Sequence, residues 1–317
     1  MKIYSSYSSK SNFTHPKQNF TGHGGFEKLP FLVGMRNEVT TETRMFRDFE
    51  TINFATNYIK RVFRDAPQKN IVVGACSTGE EVYSMKMLMG STPSEITGFD
   101  IGKDTIKQAK SGIIELHIPA KKYTKFIDMD TYKDSFLAIE DENINNEQKF
   151  LKEIFNKTFE KTENKSKLIY KVSEKLRKLF NISLIEFDKR LFKCKETDVN
   201  CKFIRGDIKE LNKIIPQKQS VHLFSFKNAI YHIITDNNYC HRENIEPQRA
   251  RIILDKIFKD INKTLYKDGL FIMGEMEHQQ HSNMNFINRA LLKNGFLPIR
   301  MPDKPYLNIW KKVKEID

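Results

Sequence analysis

Ile71-Val72-Val73-Gly74-Ala75-Cys76-Ser77-Thr78-Gly79-Glu80-Glu81-Val82-Tyr83-Ser84 is the stretch that decides the fold of this chain. Three β-branched residues predict a short buried strand, a loop of small residues follows, and helix formers resume at Glu80. Gly74 and Gly79 allow tight turning and a close approach of backbone to a ligand. A strand, loop and helix in this order is the nucleotide-binding arrangement, but its charge is unusual. Loops of this kind commonly aim a helix N-terminus at a pyrophosphate, which Glu80 and Glu81 would repel. The two glutamates suit a ligand that presents a cation. Their other reading is a solvated first turn whose acids favour the helix dipole.

Downstream, Ile96-Thr97-Gly98-Phe99-Asp100 predicts the second strand, closed by an acid, before a helix from Lys103 to Ser111. An acid at the end of the second strand, some twenty residues past the glycine loop, is placed to bind ribose hydroxyls. Asp100 could otherwise cap the helix that follows. Adenosine, an ammonium group and no phosphate together describe S-adenosyl-L-methionine (SAM), which is the cofactor expected.

Ala75-Cys76-Ser77-Thr78-Gly79-Glu80-Glu81-Val82-Tyr83-Ser84 resembles the A-x-S-T-G-E-E-P-Y-S stretch of the CheR-type chemotaxis receptor methyltransferases. Asn37 to Asp48, with Thr43-Arg44-Met45-Phe46-Arg47-Asp48 at its end, resembles that family's T-x-F-F-R-[DE] segment. Phe226-Lys227-Asn228-Ala229-Ile230-Tyr231 resembles its C-R-N-V-[LM]-I-Y. Val82 stands for the family's proline, Met45 for its first phenylalanine and Lys227 for its arginine. The family's N-terminal helical domain is not recognisable. The resemblance implies a Rossmann-like, class I SAM-dependent methyltransferase. Its α/β fold is a mixed seven-stranded sheet with an antiparallel last strand, here carrying a helical, charged insertion.

The acceptor the resemblance implies is a glutamate carboxylate of a protein, possible chemoreceptors included, in a cytoplasmic chemotaxis setting. Motifs and resemblance together give Thr41, Thr43, Arg47, Gly74, Ala75, Gly79, Glu80, Glu81, Asp100, Asp207, Lys227 and Asn228 as cofactor-binding candidates. Arg47 and Tyr231 are the catalytic candidates, and no metal is expected. An ionised carboxylate needs no general base, so catalysis reduces to aiming the nucleophile and excluding water. A two-donor arginine contact would do the aiming, which is the role expected of Arg47. No Asn/Asp-Pro-Pro-aromatic tetrad follows the fourth strand, against the common amino-methylating DNA enzymes.

The 317 residues, 39% of them hydrophobic, suffice for one domain with an insertion. The net charge of +13 admits anionic partners, with nucleic acid ranked behind an acceptor protein. A methyltransferase acting on nucleic acid or a small molecule, and a SAM-binding module without catalysis, are the alternative functions. Four scattered cysteines predict neither a disulfide framework nor a zinc site and agree with a reducing interior. No run of residues has the length and apolarity of a membrane span. His278 and His281, beside Glu275 and Glu277, read as a polar surface loop rather than metal ligands.

Residues 1–35 read as a flexible polar tail and 36–317 as the methyltransferase domain. Phe46 to Arg64 carries apolar residues at helical spacing, which places Arg47 in a helix first turn. Residues 113–200 read as an inserted helical subdomain, notably over Glu147–Phe159 and Leu168–Phe180. The strands expected after it are Cys201–Ile208, Val221–Phe226, Leu270–Gly274, Phe296–Ile299 and Tyr306–Lys311. The helices expected between them are Pro247–Tyr266 and Phe286–Asn294, the second closed by Gly295.

Overall fold

In the computed structural model, the residues described are 26–28, 45–119, 146–172, 184–195, 201–227, 229–230, 233, 247–274, 284–301 and 308–316. They fall into two units, residues 43–114 with 194–317, and residues 1–42 with 115–193.

The first unit is built on strands β2 (Lys69–Gly74), β3 (Ser94–Asp100), β7 (Cys201–Arg205), β8 (Val221–Phe226), β9 (Leu265–Ile272), β10 (Phe296–Ile299) and β11 (Ile309–Lys312). Their order across the sheet is β10-β11-β9-β8-β2-β3-β7. β2 lies parallel to β3 and β8, β3 to β7, and β8 to β9. β11 runs antiparallel to both β9 and β10. A seven-stranded sheet that is parallel except for its last strand, with the chain reversing direction at β2, is the arrangement expected from the sequence. In such sheets ligands bind at the carboxyl ends of the strands, at the switch point. Here that point is the end of β2, where the glycine loop begins.

β8 is buried at all six positions, so it reads as one apolar run instead of an alternating one. On one face Phe99, Phe224, Phe226, Phe271 and Trp310 pack with Leu254, Ile257, Phe258 and Ile261 of the helix Pro247–Thr264. Ile287 and Leu291 of the helix Met284–Lys293 complete that layer. Helix α1 (Phe49–Val62) buries Phe49, Ile52, Ala55 and Ile59 and packs on β8, β9 and helix α2 (Glu80–Met89). Each large side chain so buried contributes about 1.5–3 kcal/mol. Helix α3 (Lys103–Lys110) follows β3.

The expected helix start is corrected. Helix α1 begins at Phe49, and residues 45–48 form a turn in which Phe46 (φ 53°) and Asp48 (φ 55°) are left-handed. Arg47 therefore precedes the helix. Within the turn Met45 and Phe46 are both fully buried. A smaller correction concerns β9, which runs from Leu265 through Asp268 and Gly269 with an irregular register opposite β8.

The second unit holds a four-stranded sheet, β1 (Phe26–Lys28), β5 (Phe159–Val172), β6 (Leu184–Cys194) and β4 (Ile113–Pro119), in the order β1-β5-β6-β4. Its helix α4 (Asn146–Thr158) is the first of the two helical stretches expected. The second is overturned from Leu168 to Val172, which belong to β5. Leu168-Ile169-Tyr170-Lys171-Val172 is rich in residues that favour a pleated surface, and strand pairing outweighs the charged composition around it. The expected tail also contributes a strand, because Phe26–Lys28 pairs antiparallel with Tyr170–Val172.

At the amino end of β8, His222 is 3% exposed and lies 4.7 Å from the rings of both Phe63 and Tyr266. Its Nδ1 accepts the Asn70 amide at 2.9 Å, and burial pushes its pKa down to about 4. The folded state thus binds fewer protons than the unfolded one between pH 6.5 and 4. Stability is complete above pH 6.5 and is lost as pH falls towards 4, by up to about 3 kcal/mol. Urea unfolding of wild type and His222→Gln across this range checks this. Their difference in unfolding free energy is expected to shrink as the pH falls, and a constant difference would contradict it.

Candidate active site

The loop between β2 and α2 is shaped by three positive-φ residues, Ala75 (52°), Ser77 (50°) and Gly79 (98°). Gly74 precedes them where a Cβ would come within 2.8 Å of both Phe99 and Phe226, so only glycine lets the flanking strands close over this position. The Cys76 amide donates to the Phe99 carbonyl at 3.0 Å. Ala75 is exposed at the top of the sheet.

Asp100 is the hub of this edge. It is 8% exposed, and its Oδ2 accepts the Ser77 amide at 2.9 Å while Oδ1 accepts the Gly102 amide at 2.8 Å. Its carbonyl accepts the Gly206 amide at 2.9 Å, which ties in the loop after β7. Oδ1 also accepts the Thr105 hydroxyl at 3.5 Å, and Oδ2 retains a further lone pair for a ligand hydroxyl. Asp207, next along, caps a short 3₁₀ turn by accepting the Lys209 amide at 2.9 Å.

The two glutamates have different surroundings. Glu80 is 4% exposed and accepts the Thr78 hydroxyl at 2.7–2.8 Å. Glu81 accepts the Ser225 hydroxyl and lies 3.3 Å from the Lys227 ammonium. Lys227 reaches in from the end of β8, donates to the Arg47 carbonyl at 2.8 Å and lies 3.5 Å from Asp48 Oδ2. Its side chain is only 1% exposed. The turn at 45–48 is also held from α2, where the Phe46 amide donates to Ser84 Oγ at 2.8 Å and Ser84 donates to the Glu80 carbonyl at 2.7 Å.

The structure thus brings together Arg47, Gly74, Ala75, Gly79, Glu80, Glu81, Asp100 and Lys227 on the carboxyl edge of one sheet. Asp207 sits on the neighbouring loop. Thr41, Thr43, Asn228 and Tyr231, and the His278–His281 pair, lie outside the described residues. Asp48, Ser84 and Ser225 join the site without having been singled out. Only Asp48 carried a sequence signal, as the acid that follows Arg47. Serines inside buried runs give none.

Cys76 senses the local field. Burial pushes its thiol well above the usual range, and the charges of Asp100, Glu80 and Glu81 push it further the same way. The thiol stays protonated and is no nucleophile. Three carboxylates beside a glycine loop suit a cofactor carrying a sulfonium and an ammonium, with Asp100 suited to ribose hydroxyls. SAM fits this donor set. Cys76, Cys194 and Cys201 are free thiols, and no metal-binding group of His, Cys, Asp or Glu occurs among the described residues. No helix among them is long and apolar enough to cross a membrane.

Several solved structures are similar to this chain. A geranyl diphosphate C-methyltransferase from Streptomyces coelicolor is 8% identical with a TM-score of 0.35, over 80% of this chain and 63% of that one. The PH0226 protein from Pyrococcus horikoshii is 13% identical with a TM-score of 0.36, over 81% and 88%. The chain spans 40% of monomeric WbdD at 10% identity, with 84% of its own length covered and a TM-score of 0.39. Such superpositions are loose, and the fold assignment rests on the strand order. No curated protein matches the sequence. Residues 41–150 match the family model for the CheR methyltransferase SAM-binding domain. Over that segment, about a third of its length, the chain is similar to the SAM-binding domain of the CheR methyltransferases.

Proposed function

We propose that this protein methylates glutamate side-chain carboxylates of an acceptor protein. The observation that supports this most directly is the placement of Arg47. The turn that carries it is pinned to the end of β8 and the start of α2, beside the glycine loop. A guanidinium there can grip a carboxylate through two parallel N–H donors and set the attacking oxygen in line. When bound, SAM supplies a methyl group on a sulfonium that is already a good leaving group. The remaining work is positional. The acceptor is ionised near neutral pH, so no side chain has to remove a proton.

In this reading Asp100 holds the ribose, Glu80 supplies the negative field for the cofactor's cations while Glu81 is paired with Lys227, and Arg47 aims the acceptor. Tyr231 is proposed to line the transfer site on the strength of the family resemblance. The unit formed by residues 1–42 and 115–193 is proposed as the recognition element for the acceptor, with the SAM site held by the other unit. Incubation of the purified protein with labelled SAM and a lysate of its own cells tests the reaction. Label lost from protein on mild alkali, as a methyl ester is, is the expected result. Alkali-stable label on protein, RNA or DNA would refute it.

A further inference from the structure

We infer that Lys227 is a positioning residue, whose buried ammonium locks the main chain of Arg47 so that its guanidinium is aimed for transfer. The inference rests on the carboxyl-methylation reading above. Lys227 stands where the resembled family has an arginine and was expected to touch the cofactor. Its geometry favours a different task. With its side chain 1% exposed, the ammonium is spent on the Arg47 carbonyl at 2.8 Å, Glu81 at 3.3 Å and Asp48 at 3.5 Å. A buried ammonium persists only with such compensation. Asp48 Oδ2 has no hydrogen bond of its own, so Lys227 is the cation that balances it.

The turn needs holding. Phe46 and Asp48, on either side of Arg47, both occupy the left-handed region. Non-glycine residues remain there only where their surroundings enforce it. The Phe46 amide on Ser84 and the Arg47 carbonyl on Lys227 are among the contacts that do so here. The compact ammonium can reach a carbonyl and two carboxylates from one point, whereas a planar guanidinium is built for one paired contact. Without Lys227 the turn relaxes, and the Arg47 side chain moves with it.

Full-length protein, SAM and a cell lysate provide the test. Lys227→Met is expected to lower alkali-labile labelling about 30-fold while changing the SAM dissociation constant by no more than about threefold. Arg47→Lys combined with Lys227→Met is expected to be no worse than Arg47→Lys alone, because one effect acts through the other. Hydrogen exchange at the amides of residues 46–49 is expected to accelerate at least about tenfold in Lys227→Met. Should that variant fail to fold, Asp48→Asn takes its place in the same measurements, with an expected loss of labelling of about fivefold.

A tenfold weakening of SAM binding, or losses that multiply in the double variant, would overturn the inference. So would unchanged exchange at residues 46–49. That exchange needs no acceptor. If wild type gives no alkali-labile label at all, the carboxyl-methylation reading fails while exchange still decides whether Lys227 holds the turn.

Discussion

Replacing Arg47 with lysine is expected to lower the methyl-transfer rate about 100-fold while the protein folds normally and keeps most of its SAM affinity. Lysine preserves the charge but not the planar fork that grips both oxygens of a carboxylate. An acceptor held by a single point contact is free to rotate, and misplacement of about 1 Å is enough to cost two orders of magnitude. Arg47→Ala is expected to be no better than Arg47→Lys, since orientation rather than attraction is what is lost. The backbone of the turn is held by Lys227 on the Arg47 carbonyl and by Ser84 on the Phe46 amide, main-chain contacts that a lysine at position 47 retains. Initial rates of alkali-labile labelling, set beside calorimetric SAM binding, decide the matter. A lysine variant with wild-type rates would remove Arg47 from the reaction and leave it as a half-buried cation worth about 1 kcal/mol or less.

Asp100→Ala is expected to weaken SAM binding by roughly 1–3 kcal/mol, or about 5- to 150-fold. Its structural consequence is separate. The carboxylate accepts the Ser77 and Gly102 amides, so its removal leaves two donors near the sheet edge without a partner. Each costs about 1–3 kcal/mol if it stays dry, and a fall in Tm of at least about 4 °C is expected even without cofactor. Asp100→Asn is not expected to rescue the protein, because its amide NH₂ must face one of the two N–H donors. Calorimetry and thermal melts in the absence of SAM read the two effects independently. Unchanged SAM affinity with a lowered Tm would confine Asp100 to joining the two loops.

Much of the architecture was legible in the chain. Ile71-Val72-Val73 before a glycine loop, and Ile96 to Asp100 ending in an acid, are local signals, and both strands form with their acid and glycines where expected. Val221 to Phe226 reads as a buried strand because nothing in it is tolerable in water except at His222 and Ser225. The motifs' common location also follows from sequence, since strand ends in a parallel sheet must share one edge.

Other features depended on partners distant in the chain. Phe46 to Arg64 has continuous helical periodicity, but the helix waits until Phe49 because Ser84 and Lys227 bind the turn ahead of it. Leu168 to Val172 sits in a lysine-rich tract, yet joins a strand because Phe26–Lys28 supplies an edge to pair with. Glu81 and Lys227 each looked like a ligand for the cofactor when taken singly. Folding places them 3.3 Å apart, where each answers the other's charge. Sequence alone determined which edge of the sheet the described motif residues occupy. The tertiary structure decided which charges are already paired, because pairing depends on distances between segments up to 180 residues apart that no local pattern encodes.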